Sequence, residues 1–383
     1  MRTKKKPRVA IWGWYGFRNT GDDALAATIA WGLQEFFAPR RLDMIATERL
    51  VLGGSAPVRY LRAVRGLSRI QHYVRIALAD LHIIGGGSGL QDEFGLGPLR
   101  LRLALIRANA LLGGRTAGIG MSLGPIRTPG GAALLRRVLD RSVLMCVRDR
   151  RSVDVARSFD ADLAAKVRLT MDPAVLVDRA GLPPARRLGR REGPLVLVAP
   201  CDYHRIYHGE SGGDEVRRRR LGECLRRVCD ETGAFVRLLV MNGSGHIGDE
   251  AACRAIAEFL PHDRVEIVGY DPNPLFAFQV IQDSDLVLGM RLHSLIYAYA
   301  ASVPMVVLNY HVKVEDFVRM VGGDERRMVD AHDFEPGTLA RLVADALAAP
   351  RESLLAALPV AEAREQAISA FQYLAEVVGP ADP

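Results

Sequence analysis

Arg291 and His293 stand two residues apart in "SDLVLGMRLHSLIYAYAAS", residues 284–302. The segment opens on a short apolar run that reads as a strand. Leu292, Leu295, Ile296, Tyr299 and Ala300 then recur at helical spacing and form one apolar face. Arginine and histidine therefore fall at a helix start, just past a strand end and off that face. A guanidinium in this place suits two-pronged binding of a carboxylate or phosphate, and an imidazole beside it can transfer a proton. The competing reading is a histidine that caps the helix or is satisfied in the core.

Two glycine-rich stretches add to this pair. "GWYGFRNTGDDALAATIAWGLQ", residues 13–34, leaves a strand, passes Gly13, Gly16 and Gly21, and enters a helix led by Asp22 and Asp23. Free amides at such a helix start contact anions or sugar hydroxyls. Aspartates also favour a first turn simply by complementing the helix dipole. "LHIIGGGSGLQDE", residues 81–93, places Gly85, Gly86 and Gly87 after a buried strand, where a ligand can approach the backbone closely. Gly86 and Gly87 are candidate ligand contacts.

The elements that must position these residues alternate between short apolar strands and helical stretches, the pattern of a parallel sheet covered on both faces. In the first half, strands are expected at Arg8–Trp14, Leu42–Ala46, Leu81–Gly85, Thr116–Met121 and Val143–Val147. "DRAGLPPARRLGRREGP", residues 178–194, lacks any apolar period and reads as a linker. The alternation restarts with "LVLVAP", "AFVRLLVM", "RVEIVGY", "DLVLGM" and "VPMVVLNY". The expected division is 1–178, a linker at 179–194, a second domain at 195–350 and a helical segment at 351–383. The fold class is α/β, with two Rossmann-like doubly wound domains facing a cleft. Ligands in such sheets bind beyond the carboxyl ends of the strands.

Composition narrows the function classes. A net charge of +7, from 51 basic against 44 acidic side chains, favours anionic ligands or an anionic membrane surface. Basic and aromatic residues do not interleave as on RNA-binding sheets, and no zinc-finger spacing occurs, so no nucleic-acid partner is expected. Residues 1–8 lead straight into a strand without a signal-like apolar stretch, and no apolar run is long enough to span a bilayer, so a cytoplasmic protein is expected. The five cysteines show no CxxC pairing and read as reduced, packed thiols. "GSGHIG", residues 243–248, satisfies a dinucleotide-binding spacing, but Glu266 falls inside the next strand and not at its end, so the segment reads as a cleft-rim loop. Cys201, His204 and His208 form a sparse ligand set without supporting spacing, and no metal is expected.

Taken together, "GWYGFRNTGDDAL", "IIGGGSGLQDE", "VRDRRSVDVA", "TMDPAVLV", "GMRLHSLIYA" and "YHVKVEDFV" resemble the polysaccharide pyruvyl transferase family in order and phrasing, from about residue 8 to about residue 320. The resemblance implies a GT-B-like architecture and transfer of the enolpyruvyl unit of phosphoenolpyruvate onto a saccharide, usually closing a cyclic ketal. It implies no cofactor, phosphoenolpyruvate being the donor substrate. The implied donor site contains Arg291, Leu292, His293 and Arg148 of "CVRDRRS", with Lys313 at a further matching position. Asn19, Gly21 and Asp22, on the acceptor side, are candidates for sugar contact.

Phosphoenolpyruvate carries a carboxylate and a phosphate, which calls for permanent cations, here Arg148 and Arg291. His293 is the implied general acid and Asp22 the weaker suggestion for a hydroxyl base. A nucleotide-sugar glycosyltransferase, a sugar epimerase and an inactive saccharide-binding protein would use the same architecture. The positive charge is also compatible with peripheral contact at an inner membrane face, where the acceptor would be lipid-linked.

Overall fold

A computed structural model describes residues 6–54, 58–62, 67–189, 191–203, 212–245 and 248–379, with the side chains of 62 and 67–69 outside that description. The chain divides into two compact units. The first comprises residues 1–17, 22–183 and 361–383, and the second residues 18–21 and 184–360.

The first unit is built on a seven-stranded sheet in the order β3-β2-β1-β4-β5-β6-β7. The strands are β1 (Arg8–Trp12), β2 (Arg41–Ala46), β3 (Val58–Arg62), β4 (Leu81–Leu90), β5 (Arg115–Leu123), β6 (Leu144–Val147) and β7 (Val167–Leu169). All neighbours run parallel. The apolar runs "VAI" and "LHII" are buried because helices cover both faces of the sheet. The chain leaves β1 toward β2 and β3, then returns past β1 to β4. The order of winding therefore reverses between β1 and β4, and this opens a crevice at their carboxyl ends.

The second unit repeats the plan with six parallel strands in the order β10-β9-β8-β11-β12-β13. They are β8 (Leu195–Ala199), β9 (Phe235–Leu239), β10 (Val265–Val268), β11 (Leu286–Gly289), β12 (Met305–Asn309) and β13 (Met328–Asp330). Here the reversal falls between β8 and β11.

Three strands escape the sequence reading: β3, β7 and β13. Each is short and lies at a sheet edge, where one side needs no apolar partner. The glycine run is also not a turn after a strand. β4 continues through it to Leu90, paired with Leu123. Positive φ at Gly86 (48°) and Gly87 (85°) produces a register shift, and the ladder to β5 then resumes. Glu266 lies inside β10 as expected, opposite Arg237 of β9, with which it forms an ion pair.

The C-terminal helix Val360–Val378 groups with the first unit. Its Phe371 ring, fully buried, lies against Gly32, where an added Cβ would stand 2.2 Å from the ring. Burial of such a ring contributes about 1.5–3 kcal/mol. Arg364 of the same helix pairs with Asp178 at 2.6 Å. All five cysteines are unpaired and buried.

Candidate active site

In the second unit, β11 ends at Gly289, and a helix spans Leu292–Ala300. Gly289 permits the tight strand-to-helix turn, since a Cβ there would stand 2.5 Å from Leu295. Arg291 is the N-cap residue, in extended conformation, so its side chain leaves the helix at the strand end. Its Nε donates to both carboxylate oxygens of Asp249, at 3.1 and 3.2 Å, and its Nη2 donates to Oδ1. The Nη1 end makes no hydrogen bond among the described residues.

Asp249 is fully buried and also accepts the backbone N–H of Asn242 at 2.8 Å. Burial alone would lower the Arg291 pKa. The charge of Asp249, with Cys201 and Tyr310 nearby, outweighs that and holds the guanidinium above its ordinary value. Arg291 therefore stays charged, fixed along one edge and open along the other.

His293 lies two residues further on, in the first turn of that helix, and is partly buried. Gly21 packs directly on its ring: a Cβ at Gly21 would fall 2.0 Å from Nδ1. The segment 18–21 reaches this place through backbone bonds, Thr20 N–H to the Met241 carbonyl at 2.9 Å and Gly243 N–H to the Arg18 carbonyl at 2.8 Å. An antiparallel bridge joins Asn19 to Asn242. The Asn19 side-chain oxygen accepts the Gly21 N–H at 3.1 Å, so it closes the turn that starts helix Thr20–Phe37. Leu292 is 6% exposed, and its side chain belongs to the core.

Lys313 approaches from the end of β12, its ammonium 5.6 Å from the centroid of the Tyr310 ring. Tyr310 packs edge-on against Tyr203 at 5.0 Å. The buried Cys201, just beyond β8, lies within electrostatic reach of Arg291, Asp249, Arg217 and Lys313. Its thiol is raised by burial, against the pull of these cations. The carboxyl ends of β8, β9, β11 and β12 thus assemble Arg291, His293 and Lys313 around the reversal point of the second sheet.

The remaining predicted residues belong to the first unit. Arg148 follows β6. Its Nη1 donates to Asp172 at 2.6 Å, its Nε to the Ser122 hydroxyl at 3.0 Å and its Nη2 to Ser88 at 3.5 Å. Asp172 is held in turn by the Ala174 N–H at 2.8 Å. Ser88 lies on β4 next to Gly86 and Gly87, and a Cβ at Gly87 would approach Asp22 Oδ1 to 3.6 Å. Arg148, Asp22, Gly86 and Gly87 therefore gather around the carboxyl end of β4.

Several partners escaped the sequence reading. Asp249 immediately follows the "GSGHIG" loop, whose spacing points only to a cleft rim. Asp172 sits in the quoted "TMDPAV" without an assigned role, although Asp-Pro after a strand is an N-cap signal, and Asp172 does cap Pro173–Arg179. His204, His208, His246 and Lys4 lie outside the described residues. Among the described residues no cluster of three or more His, Cys, Asp and Glu side chains could hold a metal. No described helix is long and apolar enough to cross a membrane.

A family model described as polysaccharide pyruvyl transferase matches residues 19–312. The chain belongs to the polysaccharide pyruvyl transferase family. As a member it is a transferase of polysaccharide modification and takes a saccharide acceptor. None of the curated proteins matches the sequence.

Solved structures show the fold. UDP-GlcNAc 2-epimerase from Neisseria meningitidis, bound to UDP-GlcNAc, is 12% identical with a TM-score of 0.60, covering 97% of this chain and 98% of its own. UDP-GlcNAc 2-epimerase from Methanocaldococcus jannaschii is 9% identical at 0.58, covering 96% and 99%. Trehalose 6-phosphate synthase from Burkholderia multivorans is 13% identical at 0.54, covering 97% and 96%. The architecture is α/β and GT-B-like.

Proposed function

We propose that this transferase moves the enolpyruvyl group of phosphoenolpyruvate onto a saccharide, forms a pyruvate ketal and releases phosphate. The observation that carries the reading is the Arg291 guanidinium, clamped along one edge by Asp249 and open along the other, with His293 one turn-start residue away. An arginine so held binds a planar oxyanion without spending its own freedom on the contact. Lys313, at the end of the neighbouring strand, supplies further positive charge of the kind a carboxylate and a phosphate require.

In this proposal His293 gives a proton to the enol methylene of the donor. The carbon bearing phosphate and carboxylate becomes oxocarbenium-like, and a sugar hydroxyl adds to it with loss of its proton. A second hydroxyl then displaces phosphate, its proton leaving with the departing phosphate, and the ring closes. The helix dipole opposes an imidazolium by only about 0.3–1 kcal/mol. A bound dianion within hydrogen-bond reach shifts a pKa by about 1–3 units in the other direction. His293 is the proposed proton donor in that complex, and Asp22 is the proposed base for the hydroxyl. The protein works in the cytoplasm in this reading, on a free or lipid-linked acceptor, with peripheral contact at the inner membrane face in the latter case.

Two measurements test the proposal. Phosphoenolpyruvate should raise the melting temperature, whereas UDP- and GDP-sugars should leave it unchanged; the reverse result would favour a nucleotide-sugar enzyme. His293→Gln should collapse turnover while donor affinity stays within a few-fold. Near-normal turnover would remove His293 from the mechanism.

A further inference from the structure

The structure places four arginines in buried positions among the described residues: Arg102, Arg148, Arg217 and Arg237. Three end on carboxylates, Arg148 on Asp172, Arg217 on Asp214 and Arg237 on Glu266. Arg102, on helix Gly97–Leu111 of the first unit, does not. It is 8% exposed and makes no hydrogen bond or ion pair among the described residues, and its Nη1 is fully buried. Its one specific contact is the face of Trp12, 4.7 Å from the ring centroid. A buried cation without an anion is costly, so a position that keeps one serves something besides packing.

The surroundings are equally unfinished. Tyr15 is 1% exposed and its hydroxyl has no hydrogen-bond partner among the described residues. Tyr15 lies within electrostatic reach of Asp22 and then of Arg102, and Arg102 within reach of His82. Both groups rest against glycines of β4: a Cβ at Gly85 would stand 2.1 Å from the Tyr15 hydroxyl, and one at Gly89 would stand 2.6 Å from Arg102 Nη2. Trp12 ends β1, and Gly85 and Gly89 belong to β4, so the pair sits at the reversal point of the first sheet. Burial lowers the Arg102 pKa to about 10, which leaves it charged at neutral pH. Burial also keeps the Tyr15 hydroxyl protonated as a donor.

We propose that Arg102 and the Tyr15 hydroxyl form an oxyanion subsite that takes the phosphate or carboxylate group of an acidic saccharide acceptor. The acceptor side of this inference rests on the transferase reading above, in which the donor is held by Arg291 and Lys313. An oxyanion would accept from both unfinished donors and supply the missing countercharge. The partly buried indole of Trp12 fixes the guanidinium plane beside it.

The test is titration calorimetry of the full chain with inorganic phosphate, glucuronate and glucose, each with phosphoenolpyruvate saturating, on wild type, Arg102→Met and Arg102→Lys. Phosphate or glucuronate should bind wild type, glucose should not, and which anion binds more tightly identifies the acceptor's charged group. Arg102→Met should lose at least tenfold in that affinity, Arg102→Lys should lose less, and phosphoenolpyruvate affinity should stay within twofold in both. Without ligand, Arg102→Met should melt at or above the wild-type temperature, because an unpaired buried charge has been removed.

A variant that melts lower and binds the anions normally would make Arg102 a structural residue and overturn the proposal. Loss of phosphoenolpyruvate affinity would make Arg102 a donor ligand and overturn it too. Failure of phosphoenolpyruvate to bind wild type would instead count against the proposed donor, and the anion titration would still read the Arg102 subsite alone.

Discussion

The reversal points of the two sheets solve the same problem in different ways. In the second unit the arginine is paired before any ligand arrives: Asp249, fully buried, grips Arg291 along one edge. In the first unit one arginine, Arg148, is paired with Asp172, and another, Arg102, keeps its charge over an indole with no carboxylate partner among the described residues. A paired guanidinium is positioned and its burial largely compensated. An unpaired one is held at the expense of stability and waits for its countercharge. The difference teaches that burial alone does not sort structural from binding arginines.

The contrast is broken most strongly by removing a carboxylate. Asp249→Ala should strand Arg291 in a buried site and destabilise the second unit by about 3–5 kcal/mol, read as a urea midpoint. Turnover should fall by about 100-fold or more, since the guanidinium loses its fixed position. Combining Arg291→Met with Asp249→Leu should restore most of the stability and none of the activity. A double variant no more stable than Asp249→Ala would show that the pair is not what Asp249 serves.

Acid separates the units next. His82 of β4 is fully buried, shares a 3.3 Å hydrogen bond with Thr116, and has its pKa pushed down to about 3 by burial and then by Arg102. Between pH of about 6.5 and 3 the unfolded chain takes up a proton at this position and the folded chain does not. Stability of the first unit should therefore be full above about 6.5 and decline by a few kcal/mol as pH falls toward 3. In urea titrations across that range, His82→Leu should flatten this part of the profile. An unchanged slope would assign the acid sensitivity elsewhere.

Gly21→Ala sharpens the account of His293 itself. The added methyl would meet the imidazole at 2.0 Å from Nδ1, so the ring must move, and turnover should fall by about 10–100-fold. Gly97→Ala, where a Cβ would meet nothing within 4 Å, is the matched control and should leave turnover unchanged. The smallest effect is expected at Lys313, which is partly buried and positioned over Tyr310. Lys313→Met should raise the KM for phosphoenolpyruvate by about 3–10-fold with little change in melting temperature, as for a partly screened charge.

Much of the fold was legible because central parallel strands are buried on both faces and announce themselves as apolar runs. β8, β9, β11 and β12 were all visible in this way. Edge strands carry no such requirement, and β3, β7 and β13 passed unseen. The glycine run misled for a different reason: a bulge with positive φ and a loop call for the same residues, and only pairing with β5 tells them apart.

For the candidate site, residue type and strand-end position pointed to Arg291 and His293, and family phrasing added Arg148 and Lys313. The acidic partners Asp249 and Asp172 come from other strand ends, 42 and 24 residues away along the chain. No local pattern could have named them as the partners of Arg291 and Arg148. Arg102 was invisible for the opposite reason: one of three arginines on helix Gly97–Leu111, it looks like a solvated one until its burial is known. Gly21 was read as a ligand contact, and its tight packing against His293 depends on a backbone bridge to Asn242 that no spacing reveals.

The most direct test of the central claim is incubation of the full chain with phosphoenolpyruvate and a panel of neutral and acidic saccharides, with phosphate release and saccharide mass followed together. The account predicts saccharide-dependent phosphate release in step with a pyruvate ketal adduct, both abolished in Arg291→Met. Adduct formation from a UDP-sugar with phosphoenolpyruvate left intact would contradict it.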